Sequence, residues 1–292
     1  VSHSRALAAI TVAYVVAIGA AIAGTWGIAQ FLPLTPLYAA AVADVLATCV
    51  IFGFSFRYNN TSVYDAYWSV IPPFIAAYWI FESAPEVGAW RAWIAFALVA
   101  IWGVRLTYNW AIGWAGMEHE DWRYVRQRDL TGKFYWLVSF AALQMFPTVL
   151  VFAGCLPLWI ITQHGAAFNA FDVAGIIITS GAIAIESIAD EQLRAFRRSN
   201  PPKGTIMNRG LWSWSRHPNY FGELMFWWGL LCFGFAASPS ILWQASGALG
   251  MTLLFLFISI PMIDKRHHER RPAYAEHAKR VSRLVPLPPR QS

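Results

Sequence analysis

The chain has 292 residues, of which 57% are hydrophobic and 13% charged, about half the charged share of an ordinary soluble domain. That composition excludes a solvated globular enzyme, and the length is enough for one helical bundle with little left over for a second domain. The formal net charge of +6 comes without the aromatic interleaving of a nucleic-acid module, so no nucleic-acid partner is expected. Sixteen Trp and eleven Tyr suit a membrane protein, because amphipathic rings gather at membrane–water interfaces.

Apolar runs of the length a bilayer requires fall near 6–29, 37–56, 64–81, 90–113, 134–162, 171–196, 219–237 and 241–263. The first follows Arg5 as a signal peptide would, but it is too long and no cleavage site separates it from the next. The third carries Pro72 and Pro73, which a span tolerates when neighbouring helices satisfy the freed carbonyls. Cys49, Cys155 and Cys232 lie far apart in apolar stretches and read as reduced packing residues. The fold class expected is all-α, a polytopic transmembrane bundle of about eight spans.

Eight spans place 20 of the 22 Lys and Arg residues on one side. They sit at Arg5, at Arg57, in the segment after span four (Arg123 to Lys133), between spans six and seven (Arg194 to Arg216), and in the tail (Lys265 to Arg290). Arg91 falls on the opposite side and Arg105 lies within span four. Positive loops stay cytoplasmic, so both termini are expected there, in a bacterial inner membrane with membrane lipids as neighbours.

Three charged places ask for more than attraction to the inner leaflet. At the end of span six, Glu186, Asp190, Arg194 and Arg197 are spaced four, four and three residues apart, one stripe of a helix. The stripe either faces a wet interior or neutralises itself, and the helix stops at Asn200-Pro201-Pro202. In the second place, residues 208–229, Pro218 suits a first helical turn. Arg216, Asn219, Tyr220 and Glu223 then share a face, and the helix start beside Arg216 and His217 offers an anion site. The third pairs Arg105 within a span with Asp65 at the start of another; intramembrane ionisable groups mark function by default, unless they simply pair with each other or with Glu186. No metal-ligand pattern is present: His267-His268-Glu269 lacks the i,i+4 histidine pair.

The run SRHPNYFGE with WWG shortly after it, preceded by FRRSNP, resembles the C-terminal signature of the steroid 5-alpha-reductase family, particularly a bacterial branch. The resemblance extends to YDAYW, GMEHEDWRYVRQR and the tail RRPAYAEHAKRVSRLVP, and so covers about 64–290. It divides the chain into N-terminal spans, 1–63, and a reductase-like membrane domain, 64–292, a seven-helix core plus an extra N-terminal helix. It implies NADPH-dependent reduction of a C=C bond conjugated to a ketone in a lipophilic small molecule, steroid-like or isoprenoid. Asp190, Arg197, Asn219 and Glu223 fall at the family's cofactor-contacting positions, and Arg123 would meet a cofactor phosphate. Arg105, Arg216, His217 and Tyr220 are grouped with them. The family holds the ketone with a glutamate and a tyrosine on adjacent helices. Asp65 takes the glutamate's place and, desolvated by Tyr64, Tyr67 and Trp68, is expected to stay protonated and donate. Trp102 falls near the tyrosine's place but cannot supply a proton, and Tyr67 or Tyr108 is the alternative acid.

The same signature also resembles isoprenylcysteine and phospholipid methyltransferases that use S-adenosylmethionine, and a non-catalytic lipid-binding subunit is a third reading. No soluble-type G-x-G-x-x-G loop is present, so a dinucleotide would be held by helix faces and loops. Nothing in the pattern specifies an oligomer. The eight-span topology predicts that Asp129→Cys and Gly204→Cys react with an impermeant thiol reagent only from the cytoplasmic side. His164→Cys and Pro239→Cys should react from outside; labelling of positions 129 and 204 from opposite faces would refute it.

Overall fold

The computed structural model describes residues 3–83 and 88–290. Among them there is no β-strand, and the chain is a helix bundle. In chain order the helices are α1 (His3–Ala29), α2 (Pro36–Arg57), α3 (Tyr67–Ser83) and α4 (Ala89–Gly113). There follow α5 (Trp122–Gln163), α6 (Ala170–Arg198), α7 (Pro218–Ala237), α8 (Leu242–Arg270) and α9 (Tyr274–Arg280). Seven of these, all but α3 and α9, are long and apolar enough to cross a membrane. The third expected run is α3, whose 17 residues reach about 25 Å, the lower limit of a crossing. The apolar runs read from sequence therefore all fall on helices.

Two compact units divide the chain, Val1–Gly165 and Ala166–Ser292; the expected N-terminal pair of spans, 1–63, lies in the first. There α1 packs on α2, and α3 on α4 and α5. Pro73 has no N–H to give the carbonyl of Ser69, four residues back, and α4 meets that carbonyl with Gly103. A Cβ at Gly103 would stand 2.5 Å from Ser69 O, so only glycine allows the two backbones to approach. Ser69 and Thr107 join the same helices through a hydroxyl–hydroxyl bond of 2.9 Å. Helix α5 starts with a polar stretch, Trp122–Thr131, then tightens at Gly132–Phe134 and widens into a π turn at Ser139–Met145 before its apolar end.

In the second unit α6 and α7 run antiparallel along a seam where glycines of each helix receive side chains or backbone of the other. Gly175, Thr179, Ala182 and Glu186 of α6 recur at four, three and four residues. Gly222, Phe226, Gly229 and Phe233 of α7 repeat that spacing. Where lipid supplies no hydrophobic drive between helices, such close approach supplies the attraction. The far end is tied by Asn169, which caps α6 in a capping box with Asp172 and donates from Nδ2 to Ala236 O at 2.9 Å. A methyl on Gly229 would stand 2.8 Å from the backbone nitrogen of Thr179. Gly229→Ala should therefore lower thermal stability in detergent by about 1–3 kcal/mol. Gly53→Ala, with nothing within 4 Å of the new methyl, should be neutral or mildly stabilising by up to about 1 kcal/mol.

Candidate functional site

In the second unit the segment before α7 is a short connection with its polar groups drawn inward. A 3₁₀ turn at Gly210–Ser213 is pinned to α6 by Leu211 N donating to Gln192 Oε1 (3.0 Å) and Trp212 Nε1 donating to Ala189 O (2.9 Å). Ser215 forms a parallel bridge with Ser282, Arg216 N donates to Ser282 O at 2.9 Å, and Ser215 Oγ donates to Leu284 O at 2.7 Å. The basic tail is thus folded along the connection.

Asp264, near the end of α8, gathers the side chains of this region. Its Oδ2 accepts from Arg216 Nη1 at 3.0 Å, and Oδ1 accepts from His217 Nε2 at 2.8 Å and from Tyr274 OH at 2.5 Å. Arg283 lies 3.6 Å from Oδ2. An ionised carboxylate only accepts, so Nε2 of His217 carries the hydrogen. Burial, and the hydrogen bond it donates to Asp264, push the Tyr274 phenol above its usual range. The His217 ring stacks on Tyr220, whose ring meets Phe255 edge-on. The Arg216 side chain is only 10% exposed, and its Nε is buried with no hydrogen-bond partner among the described residues. Pro218 opens α7 as expected, and no side chain caps that helix start. The largely buried Arg216 guanidinium thus stands beside a helix start that no side chain caps.

The other residues predicted for this unit divide. Glu223 is buried and accepts from Trp227 Nε1 at 2.8 Å, one turn along α7. Asn219 is half-buried in the first turn of α7. Glu186 is buried against Gly222, Asp190 is half-buried, and Arg197 is exposed. The expected stripe therefore turns from the α6–α7 seam outward to solvent, and Arg194 pairs with Glu191, which lies outside the stripe.

In the first unit Asp65 and Tyr67, read together from sequence, part company. A 3₁₀ turn at Thr61–Tyr64 precedes α3, so Asp65 faces the connection before α5 and accepts from Tyr124 OH at 2.5 Å. Desolvation pushes the Asp65 carboxyl up to about 6, against the pull of Arg123 and of the Tyr124 hydroxyl. Arg123 is exposed and bonded through Nε to Asp121 at 2.8 Å. Tyr67 is buried and donates instead to Oδ1 of Asp44, on α2, at 2.8 Å. Asp44 is 3% exposed, and its Oδ2 has no partner among the described residues. Arg105 is half-buried on α4. Tyr108, on the same helix, stands 61% exposed on the bundle surface. Trp102 is fully buried, edge-on to Trp68.

Sequence reasoning missed Asp44 and Asp264. Asp44 is an acid in the middle of the apolar run 37–56, and the rule for intramembrane charges marks it without any structure. Asp264 falls one residue past the last apolar run, among basic residues, where its role has no local signal.

The DUF1295 family, described as proteins of unknown function, matches residues 51–281. The chain belongs to the DUF1295 family. An uncharacterized protein of Schizosaccharomyces pombe is 28% identical over 261 residues, covering 81% of this chain and 76% of that protein. No solved structure matches. The DUF1295 region contains the turn before α3, all of α5 to α8, and the Asp264 cluster up to Val281; Asp44 lies before it.

Removing the charge of Asp264 leaves Arg216 facing an uncharged amide in a largely enclosed site. Asp264→Asn should cost about 3–5 kcal/mol, the range for breaking a buried ion pair, and release the tail. Amide hydrogen exchange at Ser282–Leu287 would report it; unchanged protection there would show that the backbone bridge alone holds the tail.

Proposed function

We propose that this protein is an integral membrane reductase that uses NADPH to reduce a C=C bond conjugated to a ketone in a lipophilic small molecule. Membrane residence follows from seven crossing helices; the activity, the cofactor and the cytoplasmic placement of both termini are our reading. The observation that carries it is the Asp44–Tyr67 pair. A carboxyl and a phenol on adjacent membrane helices are bonded at 2.8 Å and buried, with one carboxyl oxygen left over. The resemblance to the steroid reductases, which covers residues 64–290, implies Asp65 at the acid's position; Asp44 lies outside it, and its placement at the ketone oxygen rests on the geometry of the pair alone. Asp65, paired with Tyr124 and lifted to about 6, is the second candidate for that acid.

The residues of the second unit fit a dinucleotide. Arg216, with its buried unpartnered Nε, and the uncapped start of α7 suit a phosphate group. Arg197 would add a charge from the end of α6. Asn219, Glu223 and Asp190 offer amide and carboxylate partners for ribose hydroxyls and the carboxamide, while Tyr220 and His217 offer a stacked pair of rings. NADPH, when bound, supplies the hydride.

The chain's own work at the reacting end is to answer the negative charge that develops on the ketone oxygen. With its proton on Oδ2, Asp44 donates to that oxygen, while Tyr67 holds Oδ1 and fixes the carboxyl's orientation. Burial away from bulk solvent strengthens each donor of the pair. With hydride taken up at the β carbon, the Asp44 proton would pass to the enolate oxygen, leaving a carboxylate, and the enol would become the ketone as its O–H proton is exchanged for one at the α carbon.

NADPH should protect the detergent-purified protein against heat, by about 2.7 kcal/mol at a hundred times its dissociation constant, and S-adenosylmethionine should not. The reverse result would favour a methyltransferase. With an enone that supports NADPH oxidation, Asp44→Asn and Tyr67→Phe should each lower turnover, Asp44→Leu by about a hundredfold or more, with NADPH protection retained. Normal turnover in Asp44→Leu would move the acid to Asp65.

A further inference from the structure

Within the first unit the contact between α2 and α5 is lined with polar side chains, an arrangement that is costly in a membrane bundle unless it has a use. The buried face of α2 carries Asp44, Thr48 and Ser55, a span of about 16 Å along the helix at 1.5 Å per residue. The opposing face of α5 carries Ser139, Gln144 and Thr148, all buried, the first two within the π turn. Such turns insert one extra residue and commonly mark functional segments.

Hydrogen bonds follow this seam from both ends. At the outer end Glu120, its side chain 13% exposed, is held by Arg128 and accepts from Tyr135 OH at 3.1 Å. Tyr135 OH and Thr61 Oγ1 are 2.6 Å apart, Thr61 and Ser139 are 2.9 Å apart, and Gln144 Nε2 donates to Ser139 Oγ at 3.4 Å. At the inner end Tyr64 OH and Thr148 Oγ1 are 2.8 Å apart, and Thr148 and Thr48 are 2.9 Å apart. Thr48 also neighbours the phenol of Tyr67, which bonds Asp44. Along α5 the hydroxyls of the two halves, Ser139 and Thr148, are nine residues apart, about 13 Å, with Gln144 between them. Gln144 Oε1 and Ser55 Oγ, along that seam, are buried with no hydrogen-bond partner among the described residues, as is Asp44 Oδ2 at its inner end. Buried oxygens of this kind are where ordered water is held.

We infer that this seam is a water-bridged proton path joining Glu120 at its outer end to Asp44 at its inner end. Each hydroxyl along it accepts on one side and donates on the other, so a proton added at Glu120 releases one to Asp44 with no net change between them. Water on Gln144 Oε1 and Ser55 Oγ closes the step from Ser139 to Thr148. Its purpose rests on the reductase reading. Each turnover takes one hydride from the cofactor and one proton from Asp44, which returns as a carboxylate and must regain a proton from solvent. The path itself needs neither cofactor nor substrate, and it is tested without them.

The carboxylic acid stretching band of Asp44, identified by its loss in both Asp44→Asn and Asp44→Leu, can be followed by infrared spectroscopy as the protein is moved into deuterated water. In the wild type the band should shift promptly. Thr148→Val, nearly isosteric but without the hydroxyl, should slow the shift at least tenfold, Thr148→Ser should restore it, and Ser139→Ala should slow it independently. An unchanged exchange rate in Thr148→Val and Ser139→Ala, or no acid band assignable to Asp44, would overturn the path. Either result leaves the reductase reading to its own assay, and a failed reductase assay leaves the exchange rates standing.

Discussion

A carboxyl group inside a lipid bundle has no water to answer it, so every buried acid must find its partners within the protein. That constraint organises what is distinctive here. Asp44 takes the phenol of Tyr67, Glu223 takes the indole of Trp227, and Asp264 takes Arg216, His217 and Tyr274 together. Each partner set fixes the geometry of a neighbourhood, because a partner removed leaves the acid uncompensated at several times the worth of the bond itself.

The acids differ in what they leave over, and that difference separates structural from chemical roles. Asp264 uses both oxygens on partners and acts as a clasp: it joins α8, the connection before α7, α9 and the tail, and leaves the spare hydrogen-bonding capacity on Arg216. Asp44 uses one oxygen and keeps the other. A clasp with surplus positive capacity beside an uncapped helix start suits an anionic ligand. A half-satisfied acid beside a phenol suits proton donation.

The helices themselves were legible because the bilayer imposes the same requirement on every span. Runs of about twenty apolar residues become helices since no other structure satisfies their backbone groups. Even the irregular positions were visible as residue types: Pro72 and Pro73 announce freed carbonyls, and Pro218 announces a helix start. That Gly103 covers the carbonyl Pro73 leaves open was not visible, because it depends on which turn of α4 passes α3. The stripe Glu186–Arg197 shows the same limit: spacing placed its members on one face, and the packing of α6 on α7 decided that Glu186 is buried and Arg197 exposed.

From sequence alone came the membrane class, the number and order of the helical runs, the family-like signature around Arg216–Glu223 and the basic surfaces. All follow from local composition and short-range periodicity. The tertiary structure decided the pairings: Tyr67 with Asp44, Asp65 with Tyr124, and Asp264 with His217 from 47 residues away. Those depend on the rotation of each helix about its axis and on the 3₁₀ turn that separates Asp65 from Tyr67. A hydrogen bond between distant residues is set by where whole helices pack, and no short stretch of sequence encodes that.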